Sequence, residues 1–388
     1  MNSRRKEDRG KGKGERGQRK GASPVQPFPL SSNRSVLPFD PAEFTRLLLS
    51  WYGRAGRDLP WRQTRDPYRI WISEIMLQQT TVAAVIPYYK RFLQRFPSVQ
   101  SLASAPLDDV ITLWAGLGYY SRARNLHRTA GKIVAESGGI FPNSLDGLVA
   151  LPGIGRSTAG AILAIAFDQP APILDGNVRR VLVRLFAWMD DPRARSAEKQ
   201  LWAWAEALTS RERPHDYAQA IMDLGATVCT PREPGCGICP VQRLCLACGR
   251  GLVAELPLPR KRARVPVRRQ AALIIKKDQV LMLRQRPAEG FLGGLWELPF
   301  VDVPDDLSPD QVASRLLASL GLRGAPCRLC DVRHAYSHFK LELAVYMVDV
   351  ESPDLVAEGD GLLWFGGDEL ASLPVHGAHR KALEKLVS

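Results

Sequence analysis

Four cysteines fall within seventeen residues, at Cys229, Cys236, Cys239 and Cys245, spaced C-x6-C-x2-C-x5-C. A loop this short can wrap four thiolates around one centre, and such sets hold either a structural zinc or an iron–sulfur cluster. The ferredoxin-type run C-x2-C-x2-C-x3-C-P is absent, which argues against an electron carrier. Cys248 reads as a spare thiol, and the isolated Cys327-x2-Cys330 pair as coincidental. Two carboxyls also stand out. Glu74 lies in Trp71-Ile72-Ser73-Glu74-Ile75-Met76-Leu77, surroundings too apolar for a solvated helix face. Buried there, its pKa rises and it becomes a general acid near neutral pH. Asp175, in Leu174-Asp175-Gly176-Asn177, reads as a turn residue and as the N-cap of a helix beginning near 177. The helix dipole there keeps a carboxylate ionised, ready to face a developing cation.

Between them runs Leu151-Pro152-Gly153-Ile154-Gly155-Arg156-Ser157-Thr158-Ala159. Gly153 and Gly155 let backbone approach a partner closely, and the amides opening the next helix point at an anion. A nucleic-acid phosphate fits such a turn without any sequence readout. A plain helix–helix connection is the other reading.

These groups need a scaffold, and the chain supplies more than one. Its 388 residues exceed a single ordinary core, and 45% are apolar, so most of it folds. The net charge of +13 is concentrated. Residues 1–35 hold ten Lys and Arg against three acids, and 257–269 hold six with none, leaving the rest formally neutral. The charge therefore implies polyanion affinity in flexible segments, or merely solubilising runs, while a site on the folded parts rests on local groups. No apolar run is long enough to span a membrane, and none follows the basic N-terminus as a secretory signal would require.

Residues 1–36 read as a disordered basic tail. Apolar spacing predicts helices over 41–54, 68–77, 81–95, 107–115, 121–136, 144–149, 156–167, 177–189, 197–209 and 215–227. A Pro-rich basic linker covers 251–267. Strands within Gln270–Leu283 and Lys340–Val350, with a helix at 309–320 between them, mark a second, α+β domain at 268–388.

In order and spacing, Leu59-Pro60-Trp61-Arg62, Glu74 with Met76-Leu77-Gln78-Gln79-Thr80, Gly116-Leu117-Gly118-Tyr119-Tyr120, the glycine hairpin, Asp175, Asn177 and the cysteine loop closely resemble the A/G-specific adenine glycosylase (MutY) family. The likeness spans residues 40–250 nearly continuously. It implies an all-α helix-hairpin-helix core over 37–250, with a six-helix module near 61–169 and an iron–sulfur module from 37–60 plus 170–250. It implies a [4Fe–4S] cluster on the four cysteines. It also implies hydrolysis of the glycosidic bond of adenine opposite 8-oxoguanine or guanine in double-stranded DNA. Glu74 would protonate adenine N7 and then activate water, Asp175 would stabilise C1′, and Asn177 would orient either carboxylate. Gln79 and Tyr119 would fill the base stack, and Arg62 would lie near the flipped adenine. Leu77, Thr80, Gly153, Gly155 and Ser157 complete the expected DNA contacts. Ser157 stands where the bifunctional endonuclease III branch carries a lysine nucleophile, so a monofunctional glycosylase is expected. A non-catalytic lesion binder would need neither carboxyl.

The segment Gly293-Gly294-Leu295-Trp296-Glu297-Leu298-Pro299, followed by Leu320-Gly321-Leu322, resembles the Nudix fold. Its magnesium-binding acids are replaced by Arg315, Ala318 and Ser319, which leaves recognition rather than pyrophosphate hydrolysis. The family reads 8-oxoguanine with a Phe-Ser-His element, where this chain has Tyr336-Ser337-His338. A monomer acting on DNA in the bacterial cytoplasm, associated with the nucleoid and not with a membrane, completes the expectation.

Overall fold

A computed structural model describes residues 37–258, 265–287, 290–336, 338–350 and 361–386. The tail read over 1–36, most of the basic run and Ser337 lie outside the described residues. The helices before the linker are α1 (Pro41–Ala55), α2 (Pro67–Leu77), α3 (Val82–Arg95), α4 (Val99–Ala103), α5 (Leu107–Trp114), α6 (Ser121–Ser137), α7 (Leu145–Val149), α8 (Arg156–Phe167), α9 (Gly176–Leu185), α10 (Arg195–Leu208), α11 (Pro214–Asp223) and α12 (Leu246–Gly249).

The predicted helices match these in position, with instructive departures. The five-residue α4 is too short to show a period, and forms on a capping box between Ser98 and Ser101. Helix α9 stops at Leu185 rather than 189. Ala187 adopts φ 47°, and the Trp188 N–H closes the end on Val183 O at 2.9 Å. That left-handed cap is ordinarily a glycine's, so no residue type announces it. Past α11 the chain continues as a π-turn, Leu224–Val228.

Helix α2 is the centre of this half. Ile70, Trp71, Ile72, Ser73, Ile75 and Met76 are all buried, so it has almost no solvated face. Asp66 caps its start by accepting from Tyr68 N–H at 2.9 Å, and Pro67 occupies the first turn, where a missing N–H costs nothing. Beside it, α8 approaches the 170–175 segment at Gly160, where any Cβ would stand 2.3 Å from Pro172 O. A glycine is what lets the two backbones meet there.

The second half is a mixed sheet of β1 (Val267–Lys277), β2 (Val280–Gln285), β3 (Trp296–Glu297), β4 (Phe300–Asp302), β5 (Cys327–Ala335), β6 (Lys340–Asp349) and β7 (Leu362–Gly366), with α13 (Pro309–Ser319), α14 (Gly367–Ser372) and α15 (Gly377–Glu384). The order is β3-β2-β1-β6-β5, with β4 on β1 and β7 on β2. Only the β1–β6 ladder is parallel among these pairs. Strand β1 is buried on both faces: Ala271, Leu273 and Ile275 share a core with Val312, Ala313 and Leu317 of α13. Ala272 and Ile274 share another with Ala378 and Ala382 of α15. Such a strand loses the alternating pattern and reads as a continuous apolar run. Among the described residues no helix is long and apolar enough to cross a membrane.

Candidate active site

The last turn of α2 carries Glu74 into the wall of a cavity of about 40 Å³. Arg57, Leu59, Trp61, Arg62, Leu77, Ile165, Gln219 and Met222 line it as well. That volume holds about three or four waters by the usual measure of about 10–15 Å³ each, so a purine enters only as the walls part. Burial among these apolar groups pushes the Glu74 carboxyl up to about 7, the Asp175 charge adds to the rise, and Arg62 opposes it. By exposed area Glu74 is half-buried, with its carboxyl the enclosed part, and Asp175 lies near enough for its charge to be felt.

Asp175 is the N-cap of α9 and accepts from Val178 N–H at 2.7 Å. The cap and helix dipole favour its ionised form, and burial pulls the other way. Desolvation raises its pKa despite hydrogen bonds from the Val178 and Asn177 amides and the charge of Arg180. Glu74 has no such amides in opposition, only the charge of Arg62.

Asn177 reaches Asp175 through its main chain. Its side-chain oxygen instead accepts from Arg180 Nη2 at 2.9 Å, while Arg180 also donates to Gly225 O and Cys229 O. Gly225 sits so close that an added Cβ would be 2.7 Å from Asn177 Cβ. Ser157 accepts from Leu174 N–H at 3.1 Å, tying the hairpin helix to the residue before Asp175. Gly153 has φ 79° and Gly155 is the N-cap of α8, as the hairpin reading requires.

Arg62 lines the cavity, yet its donors are taken. It grips Asp223 with bonds of 2.7 and 2.6 Å, and Arg57 Nε adds a third at 2.7 Å. Asp223 is fully buried. Burial pushes its carboxyl up, but hydrogen bonds and charge from Arg62 and Arg57 outweigh this and hold it below the usual carboxylate range. Sequence reasoning missed Asp223, although a lone acid in the apolar run Ala220-Ile221-Met222-Asp223-Leu224 carries the same signal that singled out Glu74. Asp223→Ala leaves two arginines over an emptied site, and is expected to destabilise the protein by about 3 kcal/mol. That corresponds to a fall of roughly 6–12 °C in the thermal midpoint, measured at pH 7 by circular dichroism.

On the outer side of the site, Gln79 (φ 57°) and Tyr119 (φ 51°) both occupy the left-handed region, and Tyr119 is 46% exposed. Leu77 lines the cavity, and Thr80 lies one residue past Gln79. The arginine that links these two loops, Arg122, was also missed, since nothing in Tyr120-Ser121-Arg122-Ala123 marks it as buried.

Cys229, Cys236, Cys239, Cys245 and Cys248 line one cavity with Arg184. Cys248, read as spare, thus faces the same space and hydrogen-bonds Cys236. Among the described residues no three metal-binding side chains stand at coordinating distance. Arg184, 2% exposed, donates to Cys229 Sγ at 3.3 Å and to Thr230 O and Leu256 O, bracing the loop. Burial pushes the Cys239 thiol up to about 12 and that of Cys245 to about 11.

In the second half, Tyr336 N–H donates to Phe339 O at the β5–β6 turn, which carries His338. The His338 ring stands edge-on to Phe291, with centroids 4.7 Å apart. The Tyr336 hydroxyl, absent from the phenylalanine of the expected element, lies 3.3 Å from His376 Nδ1, and His376 in turn faces buried Glu297. The two halves touch where Arg124 on α6 donates to Gly293 O at 2.6 Å. Arg315, Ala318 and Ser319 are exposed on α13.

Residues 72–207 match the model of the HhH-GPD superfamily of base excision DNA repair proteins, and residues 270–385 match the NUDIX domain. The chain is 39% identical to an adenine DNA glycosylase of Rattus norvegicus, over 92% of this chain and 80% of the relative. It is 36% identical to that of Buchnera aphidicola subsp. Schizaphis graminum, over 79% of this chain and 88% of the relative. A solved thermostable thymine-DNA glycosylase, 29% identical, superposes with a TM-score of 0.50 over 54% of this chain and 97% of its own.

Proposed function

This chain belongs to the adenine DNA glycosylase family, and we propose that it hydrolyses the glycosidic bond of adenine mispaired with 8-oxoguanine or guanine in double-stranded DNA. One observation carries the reading: a carboxyl raised to about 7 in an apolar cavity, with the charge of a helix-capping aspartate felt beside it. Adenine leaves poorly as an anion, so cleavage needs a proton on the base and negative charge near the sugar as it becomes cationic. Glu74, half protonated near pH 7, supplies the first to adenine N7 and, once ionised, activates water. Asp175 supplies the second at C1′. The amides on Asp175 and the charge of Arg180 favour its ionised form, the form the second task needs.

Access to the base requires extrusion from the duplex. Gln79 and Tyr119, presented from two loops, fill the gap, while Leu77, Thr80 and the hairpin of Gly153, Gly155 and Ser157 meet the strand. His338 and Ser337 read the lesion opposite. Ser157 offers no amine for a Schiff base, so strand cleavage does not follow base removal.

The four cysteines Cys229, Cys236, Cys239 and Cys245 would hold a [4Fe–4S] cluster. The fit rests on the donor set: four thiols around one cavity, whose burial keeps Cys239 and Cys245 protonated unless a cationic core replaces the protons. When bound, the cluster supplies a cross-link for the loop rather than a reacting group. The protein acts as a monomer, in the bacterial cytoplasm on the nucleoid.

The test is single-turnover base release from duplexes pairing A with 8-oxoguanine, G, C and T, and pairing T with G. Adenine is expected from the first two alone, with no borohydride-trapped adduct. Thymine release, or adenine release indifferent to the opposing base, would refute the assignment.

A further inference from the structure

We infer that Arg122 is a positioning residue that locks the Gln79 loop and the Tyr119 loop into a single base-extruding wedge. The inference rests on the proposed function for what the two loops enter.

The guanidinium of Arg122 is buried and bonded to both loops at once. Nη1 donates to Ile75 O, Met76 O and Gln78 O at 2.9, 2.8 and 2.6 Å. Nη2 donates to Thr80 Oγ1 at 3.1 Å, and to Leu117 O and Gly118 O at 3.2 and 3.0 Å. Ile75, Met76 and Gln78 precede Gln79 on the chain and Thr80 follows it, while Leu117 and Gly118 directly precede Tyr119. The rings of Trp114 and Tyr119 lie 5.3 and 5.6 Å from the guanidinium carbon.

None of these partners is an acid. A buried cation without a counter-ion is costly, and carbonyl dipoles must offset that cost. Two of the carbonyls, of Ile75 and Met76, belong to the last turn of α2, where the helix end is negative and its acceptors lack helical partners. Desolvation lowers the arginine to about 10, so it remains cationic at neutral pH.

Such a network serves a purpose beyond closing a helix. Gln79 and Tyr119 both hold left-handed backbone without being glycine, a conformation that persists only where surroundings over-determine it. One planar fork aimed at carbonyls before Gln79 and before Tyr119 does this for both loops, and fixes the distance between their tips. Lysine keeps the charge but has neither the plane nor the number of donors.

The experiment uses the full chain with its cluster, and Arg122→Lys. A duplex carries 2′-fluoroadenine opposite 8-oxoguanine, which resists cleavage, with 2-aminopurine beside it to report unstacking by fluorescence. Arg122→Lys is expected to lower the extruded fraction about tenfold and adenine release from the ordinary duplex to a similar extent, about 1.4 kcal/mol in either equilibrium or barrier. Gln79→Ala should reduce extrusion in the wild type but hardly further in Arg122→Lys, because residues acting as one unit are not additive. A helix-end role alone would lower the thermal midpoint and leave the two substitutions independent. Extrusion equal to wild type, or full additivity, overturns the inference. Should Arg122→Lys fail to fold, Thr80→Val withdraws a single acceptor and is expected to give a smaller loss of extrusion coupled to Gln79→Ala; independence there overturns it equally. If the wild type extrudes the base but releases no adenine, it is the proposed reaction that fails, and the wedge is still judged by fluorescence.

Discussion

Glu74→Gln is expected to lower single-turnover adenine release by roughly 10²–10⁴-fold while leaving duplex affinity close to wild type. Glutamine fills the same space and cannot give up a proton, so the loss isolates the acid–base contribution from packing. In the wild type the rate should fall about tenfold per pH unit once the pH passes about 7, as the Glu74 proton is lost. Stability carries the same signature with a definite sign. The folded pKa, about 7, lies above the ordinary glutamate value of 4.5, so the group's contribution to stability is intact below about 4.5 and is lost as pH rises through about 7. At pH 8 the ionised carboxylate therefore weighs against the fold, by at most about 3 kcal/mol for a shift of this size. Glu74→Gln removes that burden. Urea denaturation should show the variant more stable than wild type at pH 8 and equal to it near pH 4. A variant that cleaves at the wild-type rate would remove Glu74 from the mechanism.

Asp175→Asn is expected to reduce adenine release by roughly 10²–10³-fold, the loss usual when a charge-stabilising group at a reacting centre is removed. Asparagine is as good an N-cap as aspartate, so the bond to Val178 N–H survives and α9 should keep its start. What disappears is the negative charge. Because that charge helps raise Glu74, its removal should also shift the alkaline limb of the residual activity to lower pH. An alkaline limb unmoved in this variant would mean the two carboxyls do not sense each other, and the division of roles between them would fall with it.

The residues legible in the sequence were those whose meaning is local. Glu74 announces itself by apolar neighbours, Asp175 by an Asp-Gly turn before a helix, and the cysteines by spacing alone. Arg122 did not, because its partners are remote in the chain; Asp223 shares the apolar neighbours of Glu74, but its arginine partners are equally remote. Asp223 is bound to Arg57 and Arg62 across more than 160 positions, and Arg122 collects carbonyls from residues 75–78 that no side-chain identity can signal. The same limit applies to Asp175. The cap was visible, but the depth of burial that overrides it is a property of the assembled fold. Asn177, expected to orient a carboxylate, bonds Asp175 through its main chain, while its side-chain oxygen accepts from Arg180, one helical turn on.

The π-turn after α11 makes this part of the chain a ruler. It begins immediately after Asp223, presses Gly225 against Asn177, and delivers the Cys229 N–H to Leu224 O at 2.7 Å, directly ahead of the cysteine loop. One inserted or deleted residue between Asp223 and Cys229 would rotate everything downstream by about 100° relative to α11, at 3.6 residues per turn. The arginine clamp beneath the cavity and the first thiol of the loop would then no longer face their partners together. Length in this stretch is therefore dictated by phase.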